Sequence, residues 1–413
     1  MSQPRPLTGV RVIDFSHFLA GPFLARSLAA LGAEVIKVER PPAGDAGRTH
    51  PFQINGQSGY YLQQNMDKQG VCVDARDPRG LEFLYRLVDT ADVFVENYRP
   101  GVVDRLGLGY EQLSERNGRL VYCSVSAYGH TGPDADQPGF GLIVEARSGA
   151  MAMLGTPGET PPLFGIAVAD MYAGMHGVAA VCAALFGRAS SGRGQHVDVA
   201  LLDSMVSIHE YAIQSYMLSG GSEIPAQTGH DLRQSTLYGV FSCQGAHFVI
   251  AAQVDEVWRR LALVVGGRDL ADDTRYHTLA GRNAHHDAIL AIVREWAIGQ
   301  PSVDACIAAL HAARVPCARV QRIDEVVADP QVIARGMLVQ QEHPVLGRIT
   351  MPNLPFRFSD CATSPRSAAP LLGQHNRSVA EGLGYSSADI DAMVADGVLY
   401  AEEGVTRLED AHQ

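Results

Sequence analysis

The sequence predicts an α/β fold in which helices cover a parallel sheet. Over the first 125 residues, short apolar runs rich in β-branched residues alternate with segments whose apolar residues recur at helical spacing. Prolines stand where the predicted helices begin, and a glycine stands where the first helix ends. Repeated strand, helix and strand at this spacing is typical of parallel strands joined by crossover helices.

The predicted elements follow one another in a regular order. A strand at residues 10–15 is joined by a loop to a helix that begins at Pro22 and ends before Gly32. The first part also contains predicted strands at 35–38, 71–73, 93–95 and 120–125, with helices from Pro78 and near 110–117. The later part contains a long apolar helix after Asp170, a strand at 196–199, a second long helix at 201–218, a polar linker at 219–236, a hairpin at 238–252 and a mostly helical stretch at 256–312.

Composition limits the class of protein. The 413 residues are 46% apolar and 19% charged, which excludes a disordered chain, a collagen and a coiled coil. This length predicts two domains or one large, elaborated domain. The net charge of −12 argues against a nucleic-acid partner, because general nucleic-acid binders are more often basic. An anionic small molecule stays compatible with it, since a local basic pocket can form on an acidic protein.

Cysteine usage and apolar segments predict the compartment. The seven cysteines are dispersed, without a CxxC pair or zinc-ligand spacing, which indicates free thiols in a reducing compartment and no metal site. The first residues lack the apolar core of a signal peptide. Residues 165–187 are nearly apolar but include Asp170 and His176, so we expect a buried helix rather than a membrane span. We therefore expect a cytoplasmic protein without a membrane partner.

The turn after the first strand is where a doubly wound sheet binds its ligand. Here the chain runs from Asp14 through His17 to Pro22 without the GxGxxG pattern that lets a dinucleotide pyrophosphate approach. A nicotinamide or flavin enzyme is therefore disfavoured. The helix that begins at Pro22 can still present its N-terminus to an anion.

Basic side chains recur just after the predicted strands. Arg40, Arg76 and Arg99 each follow a strand, and Arg105 comes a few residues after Arg99. Because the carboxyl ends of parallel strands share one edge of a sheet, these side chains are expected together at the ligand edge. Four arginines there suit a ligand with several phosphates. The alternative is that each is an ordinary solvated arginine.

Asp170 lies in an apolar run of small residues, where a carboxylate is costly unless it is paired or used. Two interpretations are open, and they are compatible. As a helix N-cap, Asp170 would accept hydrogen bonds from backbone N–H groups two or three residues further on. As a nucleophile at the start of a helix, it would be kept ionised by the helix dipole. His17 and His176 are likewise open to a structural or a functional interpretation.

Short motifs are spread over nearly the whole chain. They are Pro6-Leu-Thr-Gly-Val-Arg-Val-Ile-Asp14, Ala20-Gly-Pro22, Leu31-Gly-Ala-Glu-Val-Ile-Lys-Val-Glu39, Val95-Glu-Asn-Tyr-Arg-Pro-Gly101, Gly129-His-Thr-Gly-Pro133, Ala169-Asp170, Gly192-Arg-Gly-Gln195 and Pro370-Leu-Leu-Gly-Gln-His375. In their order and spacing, these segments resemble the family III CoA-transferases (the CaiB/BaiF-like family). That family includes formyl-CoA:oxalate CoA-transferase, carnitine CoA-transferases and the related α-methylacyl-CoA racemases.

The resemblance implies a Rossmann-like, parallel-sheet large domain, built from residues 1–218 and completed by 326–413. It implies a smaller α+β domain with its linker at 219–325, and an interlocked homodimer. The CoA site of the family would fall on Leu19, Ala20, Arg40, Val73, Asp74, Ala75, Arg76, Asn97, Tyr98, Arg99 and Arg105. The candidates for contacts with the transferred acid are His17, His50 and Phe140.

The same resemblance places the catalytic aspartate on Asp170. It implies a CoA-transferase that moves CoA from a small acyl-CoA to a free carboxylic acid, with a dicarboxylate as one option. Asp170 would attack the thioester, form a mixed anhydride and then carry CoA as an aspartyl thioester. CoA and acyl-CoA would be substrates, and no permanently bound cofactor is expected.

Two departures from the family pattern bear on specificity. The racemases place a histidine base in a Gly-His-Asp triplet where this chain has Gly139-Phe140-Gly141, so a two-base proton exchange would lose one partner. The glycine-run loop of the oxalate enzymes has no counterpart at residues 250–255, and Pro138 stands where some members have lysine. The alternatives to a transferase are an acyl-CoA racemase or epimerase, and a non-catalytic CoA-binding protein.

Overall fold

The computed structural model describes residues 5–402. In chain order, the strands are β1 (Arg11–Phe15), β2 (Glu34–Glu39), β3 (Gln53–Ile54), β4 (Gln57–Ser58), β5 (Lys68–Cys72), β6 (Val93–Glu96), β7 (Val121–Ser126), β8 (Gln195–Ala200), β9 (Tyr238–Cys243), β10 (Ala246–Ala251), β11 (Cys317–Arg319), β12 (Leu338–His343) and β13 (Gly347–Pro352). The helices are α1 (Ala20–Ala30), α2 (Gly59–Gln64), α3 (Pro78–Asp89), α4 (Tyr110–Arg116), α5 (Gly141–Arg147), α6 (Val168–Ser191), α7 (Leu201–Ser207), α8 (Ala212–Leu218), α9 (Asp255–Val265), α10 (Gly267–Ala271), α11 (Leu279–Ala284), α12 (His286–Ile298), α13 (Val303–Ala312), α14 (Ile323–Val326), α15 (Pro330–Ala334), α16 (Asn376–Gly382) and α17 (Ser387–Ala395). Single 3-10 turns lie at Ala46–Thr49, Asp104–Leu106, Met151–Met153, Arg233–Ser235 and Thr274–Tyr276.

The chain forms two compact units whose limits differ from the predicted domain boundaries after residues 218 and 325. The large unit contains the residues up to 148, 164–209 and those from 330 onward, and the small unit contains 149–163 and 210–329. The segment 149–163 belongs to the small unit because Gln227 bonds to it: its Nε2 donates to the carbonyls of Leu154 (2.8 Å) and Glu159 (3.1 Å). These contacts join segments far apart in sequence, so no local sequence pattern predicts them.

A six-stranded sheet organises the large unit, and the predicted α/β class with a parallel sheet is confirmed. The strand order is β5-β2-β1-β6-β7-β8, and every neighbouring pair is parallel. The chain first adds strands on one side of β1 and then on the other. The order therefore reverses between β1 and β6, and their carboxyl ends border the crevice in which doubly wound sheets bind ligands.

Sequence signals place the first helices on this sheet. Helix α3 begins with Pro78 at its first position, and Asp77 caps it by accepting a hydrogen bond from the Arg79 backbone N–H. The C-terminal segment returns to the same core, where Val73 forms a β-bridge with Leu399. The large unit is thus built from both the N-terminal and the C-terminal parts of the chain.

Helix α6 is long and apolar enough to cross a membrane by length and composition alone. It packs against α1, and its glycines permit the approach, because a Cβ at Gly174 would lie 2.8 Å from the Ala20 carbonyl oxygen. The expectation of a buried helix is only half right. One face is buried, but other side chains are open, and Phe186 is 82% exposed.

The small unit has an antiparallel sheet in the order β11-β10-β9. The predicted hairpin is present as β9 and β10, and Gln244 and Gly245 turn between them with positive φ values of 48° and 79°. The predicted helix at 201–218 is wrong. The chain breaks between α7 and α8, where the large unit gives way to the small unit.

A fully buried charge cluster lies beneath the carboxyl end of β1. Lys37 Nζ donates to Asp45 Oδ2 (2.7 Å) and to the Ser16 carbonyl (2.5 Å), while Lys68 Nζ donates to Asp14 Oδ2 (2.7 Å). Burial opposes these charges, yet the surrounding carboxylates raise the pKa of Lys37 and the Lys37 ammonium lowers the pKa of Asp45 to about 2. Two cations therefore balance two carboxylates in the core.

Replacing Lys37 by methionine would leave Asp45 without its cation. We expect Lys37→Met to lower the free energy of unfolding by about 3–5 kcal/mol, because removing one partner of a buried pair strands the other charge. Urea denaturation followed by circular dichroism measures the change. The matched control is Arg76→Met, which breaks an ion pair with Asp74 in which the arginine side chain is 76% exposed. The control should lose much less, because water screens an exposed ion pair, and equal losses would contradict the role of the cluster.

Candidate active site

Two loops frame a cleft at the crevice between β1 and β6. The first follows β1 and carries His17 and Phe18, and the second follows β6 and carries Asn97. The Asn97 side chain fixes the two loops to each other, since its Oδ1 accepts the His17 N–H (2.8 Å) and its Nδ2 donates to the His17 carbonyl (2.7 Å). Asn97 is therefore already engaged in shaping the cleft.

Phe18 adopts a backbone conformation that a bulky residue rarely takes, with φ of +61°. Its N–H donates to Asp45 Oδ1 (3.0 Å), and Asp45 is in turn bound to Lys37. Such strain persists only where the surroundings enforce it, and here the buried cluster does so. The loop ends at Leu19, which is buried and precedes the first residue of α1, Ala20, in the cleft wall.

Asp170 reaches the same cleft from helix α6. The helix begins at Val168 after Ala167, so Asp170 lies within the first turn and the N-cap interpretation is wrong. Its Oδ2 atom lies over Gly141 of α5, where a Cβ would come within 2.2 Å. Glycine at that position thus makes the room that the carboxylate occupies.

The electrostatic surroundings of Asp170 favour its neutral form. Burial, followed by the nearby Glu145 carboxylate, raises the pKa of Asp170 to about 6, against the opposing effect of its own backbone N–H. At neutral pH the group is still mostly ionised. It is then an anion that the protein holds at a cost in free energy.

Aromatic rings line the opening of the cleft. His17 stacks on Tyr98 with ring centroids 4.6 Å apart, and Phe18 meets Phe140 edge to face at 6.4 Å. Phe140 is 69% exposed, so its ring is accessible to a ligand that enters the cleft. Burial lowers the pKa of His17, and the Lys37 and Arg40 charges add to that effect against the opposing charges of Asp45 and Asp14.

The structure brings together seven of the predicted site residues. The cleft is lined by His17, Ala20, Asn97, Tyr98, Arg99, Phe140 and Asp170. The other predicted residues lie outside its wall. Arg40 follows β2, and Arg105 lies in the 3-10 turn Asp104–Leu106. His50 stacks on Tyr60 at 4.3 Å.

The predicted segment from Val73 to Arg76 is occupied by internal contacts. Val73 is buried against the C-terminal return, Ala75 packs on the same core, and the Asp74 N–H donates to the Val398 carbonyl (2.9 Å). Arg76 folds back onto Asp74 through two hydrogen bonds of 2.9 Å. Of this segment, the exposed Arg76 guanidinium is therefore the part most accessible to a ligand.

Sequence reasoning missed Glu145 and the lysine cluster. A signal for Glu145 was available, since it is a carboxylate within the apolar stretch of α5 and falls one helical turn after Gly141. Within residues 5–402, no three His, Cys, Asp or Glu side chains are placed to hold a metal ion.

Fold and cleft together define an α/β protein that presents a carboxylate at the switch point of a doubly wound sheet. Residues 7–376 match the family model of CoA-transferase family III, and the chain belongs to that family. The resemblance found in the sequence is thereby confirmed. The chain is accordingly a transferase, and the substrates of such enzymes are CoA thioesters.

Individual relatives cover almost the full length. The chain is 32% identical to succinyl-CoA:glutarate CoA-transferase from Homo sapiens over 98% of this chain and 92% of that protein. It is 34% identical to succinyl-CoA–D-citramalate CoA-transferase from Chloroflexus aurantiacus over 96% of this chain and 98% of that protein. The crystal structure of a CaiB/BaiF family protein from Brucella suis superimposes with a TM-score of 0.83 at 34% identity, covering 92% of this chain and all of the other.

Gly141→Ala tests whether the position of the Asp170 carboxylate matters. The new methyl group would force this flexible carboxylate to rotate away, so we expect an intact fold but CoA transfer slowed by about 100-fold. Initial rates and thermal melting of the same samples measure both. The matched control is Gly187→Ala on α6, where a Cβ meets nothing within 4 Å. Full activity in Gly141→Ala would show that the carboxylate position is unimportant.

Proposed function

We propose that the protein transfers CoA from a small acyl-CoA such as succinyl-CoA to a dicarboxylic acid, with Asp170 as the nucleophile. The observation that carries the proposal is the half-buried Asp170 carboxylate in the wall of the switch-point cleft. Its pKa is raised, and Gly141 leaves room for it because glycine has no side chain. The names of the two relatives above supply the substrate class, because succinate, glutarate and citramalate all carry two carboxylates.

The reaction proceeds through four balanced displacements. An Asp170 carboxylate oxygen attacks the thioester carbon, the C–S bond breaks, and its electron pair leaves on the CoA thiolate, which gives a mixed anhydride. The thiolate attacks the Asp170 carbonyl carbon and expels the donor acid, which leaves an aspartyl-CoA thioester. The acceptor carboxylate then attacks that thioester and releases the thiolate. Finally the thiolate attacks the acceptor carbonyl, forming the new acyl-CoA and restoring Asp170.

The phosphates of CoA are assigned to the arginine-bearing edge of the sheet. Arg99 lines the cleft, and Arg40 lies close enough for its charge to lower the pKa of His17. Arg76 would exchange Asp74 for a phosphate, a partner that binds the guanidinium fork equally well. The N-terminus of the eleven-residue α1 also opens on the cleft at Ala20 and favours negative charge.

Asp170→Ala tests the nucleophile. With succinyl-CoA and a panel of dicarboxylic acids, mass spectrometry should find new thioesters for the unaltered protein and none for Asp170→Ala, because alanine cannot form an anhydride. Binding of CoA measured by calorimetry should persist. The matched control is Asp203→Ala, which removes an exposed carboxylate on α7.

Retained transfer in Asp170→Ala would refute the nucleophile. Exchange of the α-proton of an acyl-CoA with deuterated water, without any acceptor acid, would instead indicate a racemase. Phe140 stands where the racemases resembled by this sequence place their histidine, and a phenyl ring has no proton to exchange.

We further propose that the protein is a homodimer. Exposed apolar side chains support this, among them Phe186 on α6 and, on α8, Ile213, Tyr216, Met217 and Leu218. Sedimentation equilibrium should give twice the 44.3 kDa of the chain. A mass of one chain at micromolar concentration would contradict the proposal.

A further inference from the structure

We propose that Glu145 is a positioning residue for the nucleophile, whose buried negative charge raises the free energy of the Asp170 carboxylate before it reacts. The inference rests on the proposed role of Asp170 in CoA transfer. It concerns what drives the first displacement forward. Asp170 supplies the reacting oxygen, and Glu145 acts through it without touching the substrate.

The geometry places the two carboxylates on the same side of α5. Gly141 and Glu145 are one helical turn apart, so they lie on one face of that helix. The Asp170 carboxylate lies over Gly141. Glu145 is 4% exposed, and its Oε1 accepts the N–H of Ala169, the residue before Asp170 (3.2 Å).

That hydrogen bond also gives Glu145 a structural role at the start of α6. Ala167 precedes α6 and provides no side-chain cap. Glu145 reaches over from α5 and satisfies the Ala169 N–H, one of the donors that a helix start leaves open. The charge is thereby anchored beside Asp170 by a contact that a neutral amide can also make.

In the part of the chain that the structure describes, no positively charged side chain is among the causes that shift the pKa of Asp170. The elements and loops around it carry Arg26 on α1, Tyr60 on α2, Asp203 on α7, and His17 and Arg99 at the cleft. Arg26 donates to the Pro352 carbonyl, and Tyr60 has its pKa raised by burial and by the Asp170 charge. Besides burial, the Glu145 carboxylate raises the pKa of Asp170.

The consequence follows from where the charge goes. In the first displacement Asp170 loses its negative charge as the C–O bond forms, and the electron pair of the broken C–S bond departs with sulfur. The repulsion between Asp170 and Glu145 is therefore present before the step and relieved after it. Glu145 favours both the anhydride and the aspartyl thioester, since both are neutral at position 170.

The experiment measures formation of the Asp170 adduct. Wild-type protein and the variants Glu145→Gln and Glu145→Ala are mixed with succinyl-CoA alone across pH 4 to pH 9. The adduct is trapped with hydroxylamine and counted by peptide mass spectrometry, and thermal melting is recorded in parallel. Glu111→Gln, on the exposed side of α4, is the matched control.

Removing the charge should move the acid limb of adduct formation. Ionised Asp170 is the reactive form, so the wild-type rate rises with pH as Asp170 loses its proton. We expect both Glu145 variants to reach half their maximum about one pH unit lower and to react up to about tenfold more slowly at high pH. Only Glu145→Ala should also lose thermal stability, since glutamine still accepts the Ala169 N–H.

The outcomes separate the two proposals. An adduct at Asp170 in wild type with an unchanged pH limb in Glu145→Gln overturns the role of Glu145 and leaves the nucleophile intact. No adduct in wild type at saturating succinyl-CoA overturns both. A shift in Glu111→Gln equal to that in Glu145→Gln would show that the effect is general charge and would also overturn the inference.

Discussion

Beneath the active-site loop, the only two lysines of the chain, Lys37 and Lys68, are buried against Asp14 and Asp45. This ion-pair cluster is the constraint on which the cleft depends. It fixes the end of β1, holds the Ser16 carbonyl, and through Asp45 keeps Phe18 in its strained conformation. Without it, the loop would relax and the wall opposite Asp170 would lose its shape.

The two sides of the cleft obey different physical rules. On the loop side, Lys37 and Lys68 pair with Asp45 and Asp14, which gives rigidity at a high cost of desolvation. On the α6 side, Asp170 faces burial and a second carboxylate, Glu145, so its charge is left poorly compensated. The cleft thus combines a wall of paired charges with a wall that carries a poorly compensated carboxylate. Perturbed carboxylates in clefts are typical of functional sites for this reason.

Much of this arrangement could be predicted from the sequence where the signals are local. The predicted strand at 10–15 is observed as Arg11–Phe15, and the helix from Pro22 to before Gly32 is observed as Ala20–Ala30. β-Branched runs, prolines and glycines influence only the few residues around them. The elements that they predict therefore do not depend on tertiary contacts. The parallel sheet and its ligand edge followed from the repeat of such units.

Features that depend on distant contacts could not be predicted. The membership of 149–163 in the small unit follows contacts with a much later segment of the chain, among them those of Gln227. A carboxylate in the apolar stretch of α5 marks Glu145 as unusual, but its contact with Ala169 depends on α6, a helix that begins some twenty residues later. Composition and periodicity do not encode which side chains a tertiary contact will cover.

The burial of Asp170 links proton uptake to folding. A carboxyl whose pKa is about 6 in the folded chain and near its ordinary value when unfolded binds its proton more tightly in the native state. This group therefore weakens the fold progressively as the pH rises toward 6, by about 3 kcal/mol at the upper limit, and weakens it no further above that. The acylation proposed for Asp170 would remove the same charge. An acylated protein should then resist heat better than the resting one.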